Sequence, residues 1–333
     1  MILAMPWHTI GHEWAVNMLA RAAAQPTHAY LFTGPAHIGK MTLALDFART
    51  LNCTGKNKPC GVCRACRLIE AAQHPDVRVV RRQPDKSEIL VEQLRDVQHE
   101  LSLKPYEARW RVALIENVHE ANANAANAFL KKLEEPAPQV VLLLTAHNPE
   151  AVLATIRSRC QIIPLRPLPI SAVERTLVER QHVEPERAEL LARLSAGRIG
   201  WAIVASEDDT LLDERRTCLQ EILDALPRGR SGRIELAGKL TRDEADVMQT
   251  LDLWLSWWRD LLLVKGQCAG SVVNVDFGER LARDAARLEL GSIQKYVGAI
   301  QAARQQIEQN VNVRLAVEWM LLGAPIAGTN KNE

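Results

Sequence analysis

His28-Ala29-Tyr30-Leu31-Phe32-Thr33-Gly34-Pro35-Ala36-His37-Ile38-Gly39-Lys40-Met41 joins a short apolar run directly to the pattern G-x-x-x-x-G-K. Residues 29–32 read as a buried strand. Residues 40–51, with Leu43, Leu45, Phe47 and Leu51 at helical spacing, read as a helix. Strand, glycine turn and helix form the context in which this pattern makes a phosphate-binding loop. Backbone N–H groups and the positive end of the helix would face an anion, with Lys40 reaching it. The plain alternative is a turn at a strand end, which would leave Gly34, Gly39 and Lys40 without a ligand.

The loop lacks the companions that hydrolysis needs. The position after Lys40 normally carries a hydroxyl that holds Mg²⁺, and here it is Met41, with Thr42 one place out of register. A later apolar strand, Val112-Ala113-Leu114-Ile115, ends in Glu116-Asn117. A carboxylate at that strand end normally assists the metal. Glu116 can stand in for it, but Asn117 has no basic group to polarise a water. The backbone cradle and Lys40 remain, which is compatible with weak ATP or ADP binding without turnover, or with no nucleotide at all.

The outer strands of the pattern follow the same rhythm. Val77–Val80 and Val140–Leu144 are short runs rich in valine and leucine, and helices fall between them at 89–103 and 123–133, the second stopped near Pro136. Alternating strands and helices predict a parallel sheet with helices on both faces. A helix at 11–24 precedes the sheet. After Pro164, Pro167 and Pro169 the β-like runs disappear, and 171–204 reads as a small helical region. From 207 to 325 every periodic segment is helical. Pro227–Gly232 reads as a loop, 245–264 as a long helix before Gly266, and 312–322 as a final helix before Gly323.

Bulk properties narrow the function classes. The 333 residues are 47% hydrophobic and 24% charged, as in ordinary soluble domains, and suffice for two or three of them. A net charge of +1 gives no global attraction to nucleic acid or anionic membrane. Nothing resembles a secretory signal at Met1–Met5, and no run nears the roughly 18 apolar residues of a membrane helix. The expectation is a cytoplasmic protein with no membrane partner.

Four of the seven cysteines form Cys53-x6-Cys60-x2-Cys63-x2-Cys66. In a reducing compartment such clustering points to metal rather than disulfides. Four thiolates close a tetrahedral shell around Zn²⁺ and leave no position for water, so the role would be structural. Lys56, Lys58, Arg64 and Arg67 offset the negative charge. An iron–sulfur cluster and free thiols are the alternatives.

Several segments together resemble one family. They are residues 28–35, the four-cysteine insert, Ala125-Ala126-Asn127-Ala128-Phe129-Leu130-Lys131-Lys132-Leu133-Glu134-Glu135-Pro136, Thr155-Ile156-Arg157-Ser158-Arg159-Cys160 and Asn310–Glu318. The chain resembles, over almost its whole length, the bacterial clamp-loader branch of the AAA+ superfamily. The resemblance implies an α/β AAA+ P-loop core (1–166) with a zinc insert, a small helical lid (167–205) and an all-α collar (206–333). It implies a ring with tau/gamma and delta subunits that opens the sliding clamp and closes it around primed DNA. It also implies that Arg159 acts in trans as an arginine finger at a neighbour's ATP, with Ser158 supporting the turn. Without the resemblance, Arg159 reads as a surface arginine in a turn. The family's lid motif carries a nucleotide-sensing arginine where Gly200 stands, with Arg198 two places away. The losses at 41, 117 and 200 together imply a subunit that does not hydrolyse ATP itself. An active tau/gamma-type ATPase is the rival reading, and a free-standing nucleotide switch a third.

Other features read more plainly. Trp254, Trp257 and Trp258 sit at helical spacing and suit a core or packing role. Lys131-Lys132 suit a solvated helix end. Glu134-Glu135 precede a turn without evident chemistry, and Cys160 suits packing. His28, His37 and His119 are placed near the presumed nucleotide cleft.

Overall fold

The computed structural model describes residues 7–83, 86, 88–121, 133–135, 137–242, 244–309 and 311–325. The helix expected at 123–133, with Lys131 and Lys132, therefore lies outside the described residues except for Leu133, as do Pro136 and Asn310. The chain divides into two compact units. The first is Met1–Leu168 with Arg198–Gly200, and the second is Pro169–Gly197 with Trp201–Glu333.

In the first unit α1 (Glu13–Ala22) precedes β1 (Ala29–Thr33), α2 (Lys40–Asn52), α3 (Arg64–Glu70), β2 (Val77–Val80), α4 (Val91–Ser102) and β3 (Arg111–Ile115). Then come β4 (Val140–Ala146), the single-turn α5 (Ala154–Arg157) and β5 (Gln161–Pro164). The five strands form one parallel sheet in the order β2-β3-β4-β1-β5. Successive side chains on a strand point to opposite faces, and both faces are covered. Tyr30, Phe32, Leu114 and Leu143 join Leu43, Phe47 and Leu19 on one side. Leu31, Ala113, Ile115 and Leu144 join Leu94, Val97, Leu133 and Ile156 on the other. Two-sided burial explains why the strands read as continuous apolar runs.

The expected strands at 29–32, 77–80, 112–115 and 140–144 are all present. The sheet has a further strand, β5, that the sequence pattern does not announce. Its Gln161, Ile162 and Pro164 are exposed and only Ile163 is buried. An edge strand ending in proline carries little apolar signal.

The second unit contains no strand among the described residues. It holds α6 (Ile170–Gln181), α7 (Pro185–Leu194), most of α8 (Ile199–Glu207), α9 (Thr210–Ala225), α10 (Gly229–Leu240), α11 (Glu244–Lys265), α12 (Gly278–Arg287), α13 (Leu290–Glu308) and α14 (Val313–Leu322). The loop expected over Pro227–Gly232 is shorter than that. A 3₁₀ turn ends at Arg228, and α10 begins at Gly229, whose φ of 74° only glycine adopts easily.

The core of this unit is built on α11. Trp254, Trp257 and Trp258 are each 1% exposed. The Trp254 and Trp258 rings meet edge to face at 5.6 Å, and the Trp254 indole N–H donates to the Tyr296 hydroxyl at 3.2 Å. The Arg233 guanidinium donates to the carbonyls of Leu321, Leu322 and Ala324, at and just beyond the C-terminal end of α14, where a helix has more carbonyls than internal donors. Trp254→Ala is expected to cost about 3–5 kcal/mol in chemical denaturation. Trp319→Ala removes a ring that is 65% exposed, and should stay within about 0.5 kcal/mol.

Candidate functional site

The phosphate-type loop leaves the sheet at the C-terminal end of β1. Gly34 (φ 146°) and Gly39 (φ 99°) take backbone conformations that L side chains rarely adopt. A Cβ at Gly34 would also lie 2.5 Å from the Leu165 carbonyl oxygen. Lys40 is 7% exposed, and its Nζ donates to the carbonyls of Gly34 (2.8 Å) and Pro35 (2.7 Å). Burial pulls its ammonium down to about 8, with the Glu116 charge opposing. Met41 packs against the core on this side of the sheet. The lysine thus satisfies itself on the loop's own carbonyls.

The end of β3 contributes the next groups. The Glu116 carboxylate accepts from Arg81 Nε at 2.8 Å. Asn117 has φ 50°, its N–H donates to Thr145 Oγ1 at 2.8 Å, and its side-chain amide donates to Glu120 at 2.9 Å. No basic group occupies that place. His119 meets His147 edge to face at 4.9 Å, and its buried Nδ1 makes no hydrogen bond. Burial, then the neighbouring His147 and Lys40, push its imidazole down to about 3. His37 is also pushed down, by burial and then by the charges of Arg198 and Lys40. Of the three histidines expected near this cleft, His28 belongs elsewhere. It precedes β1, so the whole strand separates it from the loop. The Gly200 N–H donates to the His37 carbonyl at 2.8 Å, and a Cβ at 200 would lie 2.8 Å from that oxygen. A glycine there lets backbone meet backbone.

The four cysteines come together around the end of α2 and the start of α3. Their sulfurs all lie within 4.8 Å of one another, and tetrahedral ligation by four thiolates requires about 3.8 Å. Cys53 Sγ accepts N–H groups from Gly55 (3.3 Å) and Cys60 (3.2 Å), Cys60 Sγ from Cys63 (3.3 Å), and Cys63 Sγ from Cys66 (3.4 Å). Such donors favour thiolates. Burial opposes ionisation at Cys63, but N–H donation from Cys66 and Thr54 overrides it and brings the thiol to about 6. Burial pushes Cys66 up to about 12. A Cβ on Gly55 would lie 2.8 Å from Cys60 Cβ, so glycine keeps the cage closed. These residues can hold a metal ion with no open coordination position.

Arg159 lies between α5 and β5. Its Nη1 donates to the Thr155 carbonyl (2.8 Å) and to Ser158 Oγ (3.3 Å), and its Nη2 donates to Glu134 (2.8 Å). Ser158 Oγ in turn donates to the Thr155 carbonyl at 3.2 Å. The Glu134 contact is not legible from the sequence, where the two residues share no local pattern. Cys160 packs against the adjoining core, and burial pushes its thiol up to about 12, a structural thiol. Parallel pairing sets Gln161 beside Tyr30 and Pro164 beside Thr33. Arg159, just before Gln161, therefore sits at the opposite end of the sheet from Gly34, which lies four residues, about 13 Å at ~3.3 Å per residue, beyond the Tyr30 level.

The family profile described as "DNA polymerase III, delta subunit" matches residues 11–169. A second, "DNA polymerase III, delta subunit, C terminal", matches residues 209–324. The chain is 30% identical to the DNA polymerase III subunit delta' of Bacillus subtilis, over 89% of this chain and 90% of that protein. It is 41% identical to the subunit delta' of Pseudomonas aeruginosa over 52% of this chain and 53% of that one. It is also 29% identical to the DNA polymerase III subunit tau of Salmonella typhimurium, over 97% of this chain but 55% of tau, so it spans about half the length of that relative.

His119 gives the cleft a pH signature. The folded chain keeps it neutral down to about pH 3, whereas the unfolded chain protonates it near 6.5. Its contribution to stability is complete above 6.5 and is lost as the pH falls toward 3. His119→Gln should shrink the stability loss between pH 7 and pH 5 by about 2 kcal/mol, read from denaturation midpoints at the two pH values.

Proposed function

This chain belongs to the DNA polymerase III delta-prime subunit family, and from that premise we propose that it helps the clamp-loader complex load the sliding clamp without hydrolysing ATP itself. It is a clamp-loader delta'-like subunit. In the proposed division, residues 1–166 form the AAA+ core, 167–205 a lid and 206–333 a collar that joins tau/gamma and delta. In this reading Arg159 enters the ATP site of a neighbouring subunit while the complex places the sliding clamp on primed DNA.

One observation carries the reading. The register of β5 on β1 sets Arg159 at the opposite end of the sheet from the chain's own phosphate loop. An arginine so placed is remote from an anion on that loop and available to one on another subunit. Arginine suits the task because its guanidinium stays charged and forks onto phosphate oxygens. It would stabilise charge that develops as the γ-phosphoryl group is transferred.

The pocket itself supports the absence of turnover. Met41 offers no hard oxygen to Mg²⁺. Asn117 offers no base, Glu116 is engaged by Arg81, and Lys40 is engaged by loop carbonyls. Any ATP or ADP held there would rest on Gly34, Gly39 and Lys40 alone. The similarity to tau favours a second reading, an active tau/gamma-type ATPase, but the same residues at 41 and 117 oppose it.

Two measurements test the proposal. Single-turnover ATP hydrolysis is followed in the complex of tau/gamma, delta, clamp and primed DNA with wild-type chain or Arg159→Ala. The site served by this chain should slow by roughly 10³–10⁵-fold, and the isolated chain should show no turnover. Robust turnover by the isolated chain would establish the ATPase reading. Equal rates with either version would leave a scaffolding role.

The cysteine cage is proposed to hold structural zinc through Cys53, Cys60, Cys63 and Cys66. Elemental analysis of the purified chain should find about one zinc per chain, and Cys63→Ser should lose it. Chelation should lower the melting temperature, because bound metal stabilises only the folded state. Iron in place of zinc, or no metal, would overturn this assignment.

A further inference from the structure

We propose that Glu134 is a positioning residue for the Arg159 guanidinium, an inference that rests on the trans-acting role proposed for Arg159. Leu133 is 2% exposed and shares a core with Ile156 of α5. That shared core ties the backbone before Glu134 to the helix before Arg159. Glu134 itself emerges at the surface, where its carboxylate accepts Arg159 Nη2 at 2.8 Å. The other terminal nitrogen is already held locally, by the Thr155 carbonyl and Ser158 Oγ.

Two anchored nitrogens do what one cannot. With Nη1 alone held, the guanidinium plane can still swing about that nitrogen. Holding Nη2 as well fixes the plane, and a fixed plane is what bidentate contact with a phosphate requires. Ser158 and Thr155 lie in the same turn as Arg159 and move with it. Glu134 is distant in sequence and reports the position of a separate segment. The pair is also open to solvent, with side chains 34% and 50% exposed. Exposed pairs are weak, so the carboxylate orients the arginine without binding it too tightly to meet a phosphate.

A carboxylate so close could instead compete with the incoming phosphate, and the two roles have opposite signatures. The test is single-turnover hydrolysis across an ATP range, using the assembled complex and a double-mutant cycle of Glu134→Ala and Arg159→Ala, with Glu134→Gln as the conservative variant. Positioning predicts that Glu134→Ala lowers the maximal rate at the served site about fivefold, the factor that corresponds to ~1 kcal/mol. The ATP concentration at half-maximum stays unchanged. Glu134→Gln, which keeps an acceptor oxygen, should recover to within about twofold. In the Arg159→Ala background the Glu134 substitution should have no further effect. Thermal melting of each variant checks folding, which an exposed side chain should leave intact.

The inference is overturned if Glu134→Ala matches wild type, if it runs faster, or if it slows the Arg159→Ala complex as much as the wild-type one. If Arg159→Ala itself has no effect, the trans-arginine reading falls and takes this inference with it. That result is distinct, because in the former cases Arg159→Ala still slows the reaction.

Discussion

β1 is hydrogen-bonded to β4 on one side and β5 on the other, and all five of its residues are buried. The rest of the first unit depends on this placement. A central parallel strand has no solvent-facing side, so its residues must be apolar and its polar backbone must pair with neighbours. Its ends are then the places where the chain can do chemistry, and parallel pairing makes those ends inequivalent. The C-terminal end carries the glycine loop. The N-terminal end lies level with the turn that carries Arg159. One hydrogen-bond register thus assigns the glycine loop and the proposed finger to opposite rims of one sheet.

The second unit solves a different problem. It buries three tryptophans of one helix, and it also buries Asp260, Arg215 and Asn274. Asp260 accepts the N–H groups of Val273 (3.0 Å) and Asn274 (2.7 Å) and the Asn274 side-chain amide (2.7 Å). Arg215 donates to Asn274 and pairs with Asp276. Burial pushes the Asp260 carboxyl up while these donors hold it down. Buried polar groups are tolerable only when partnered. Here the partners fix Val273 and Asn274, between the 3₁₀ turns Ala269–Ser271 and Val275–Phe277, against α11.

Much of this was legible because it depends on local pattern. Continuous apolar runs gave β1, β3 and β4, and the spacing of Trp254 and Trp258 anticipated the face they share. Two C-x-x-C steps with an upstream Cys53 anticipated four neighbouring sulfurs. What was not legible depends on tertiary position. β5 hides at an edge with one buried side chain. His28 looked close to the glycine loop in sequence, yet a strand extends between them. The Arg159–Glu134 and Glu116–Arg81 pairs join segments that share no repeat. The bareness of Gly200 makes sense only once the His37 carbonyl is seen against it.

The two basic groups differ most in what surrounds them. Lys40 is nearly inaccessible and already donates to two carbonyls. Its third N–H is the one donor left, so holding more than one phosphate oxygen would mean giving up a loop carbonyl in a poorly hydrated place, where an unmade bond costs about 1–3 kcal/mol. Arg159 keeps about a third of its side chain in water, and its ion pair is of the exposed kind, worth about 0–1 kcal/mol. Three of the guanidinium's five N–H groups are engaged, so it can meet another anion while that carboxylate stays in place. Polar groups turned inward hold the loop's shape, whereas the arginine turned outward keeps its capacity to bind. That asymmetry is the physical ground for the proposal that this subunit's own pocket is quiet and its surface arginine serves a neighbour.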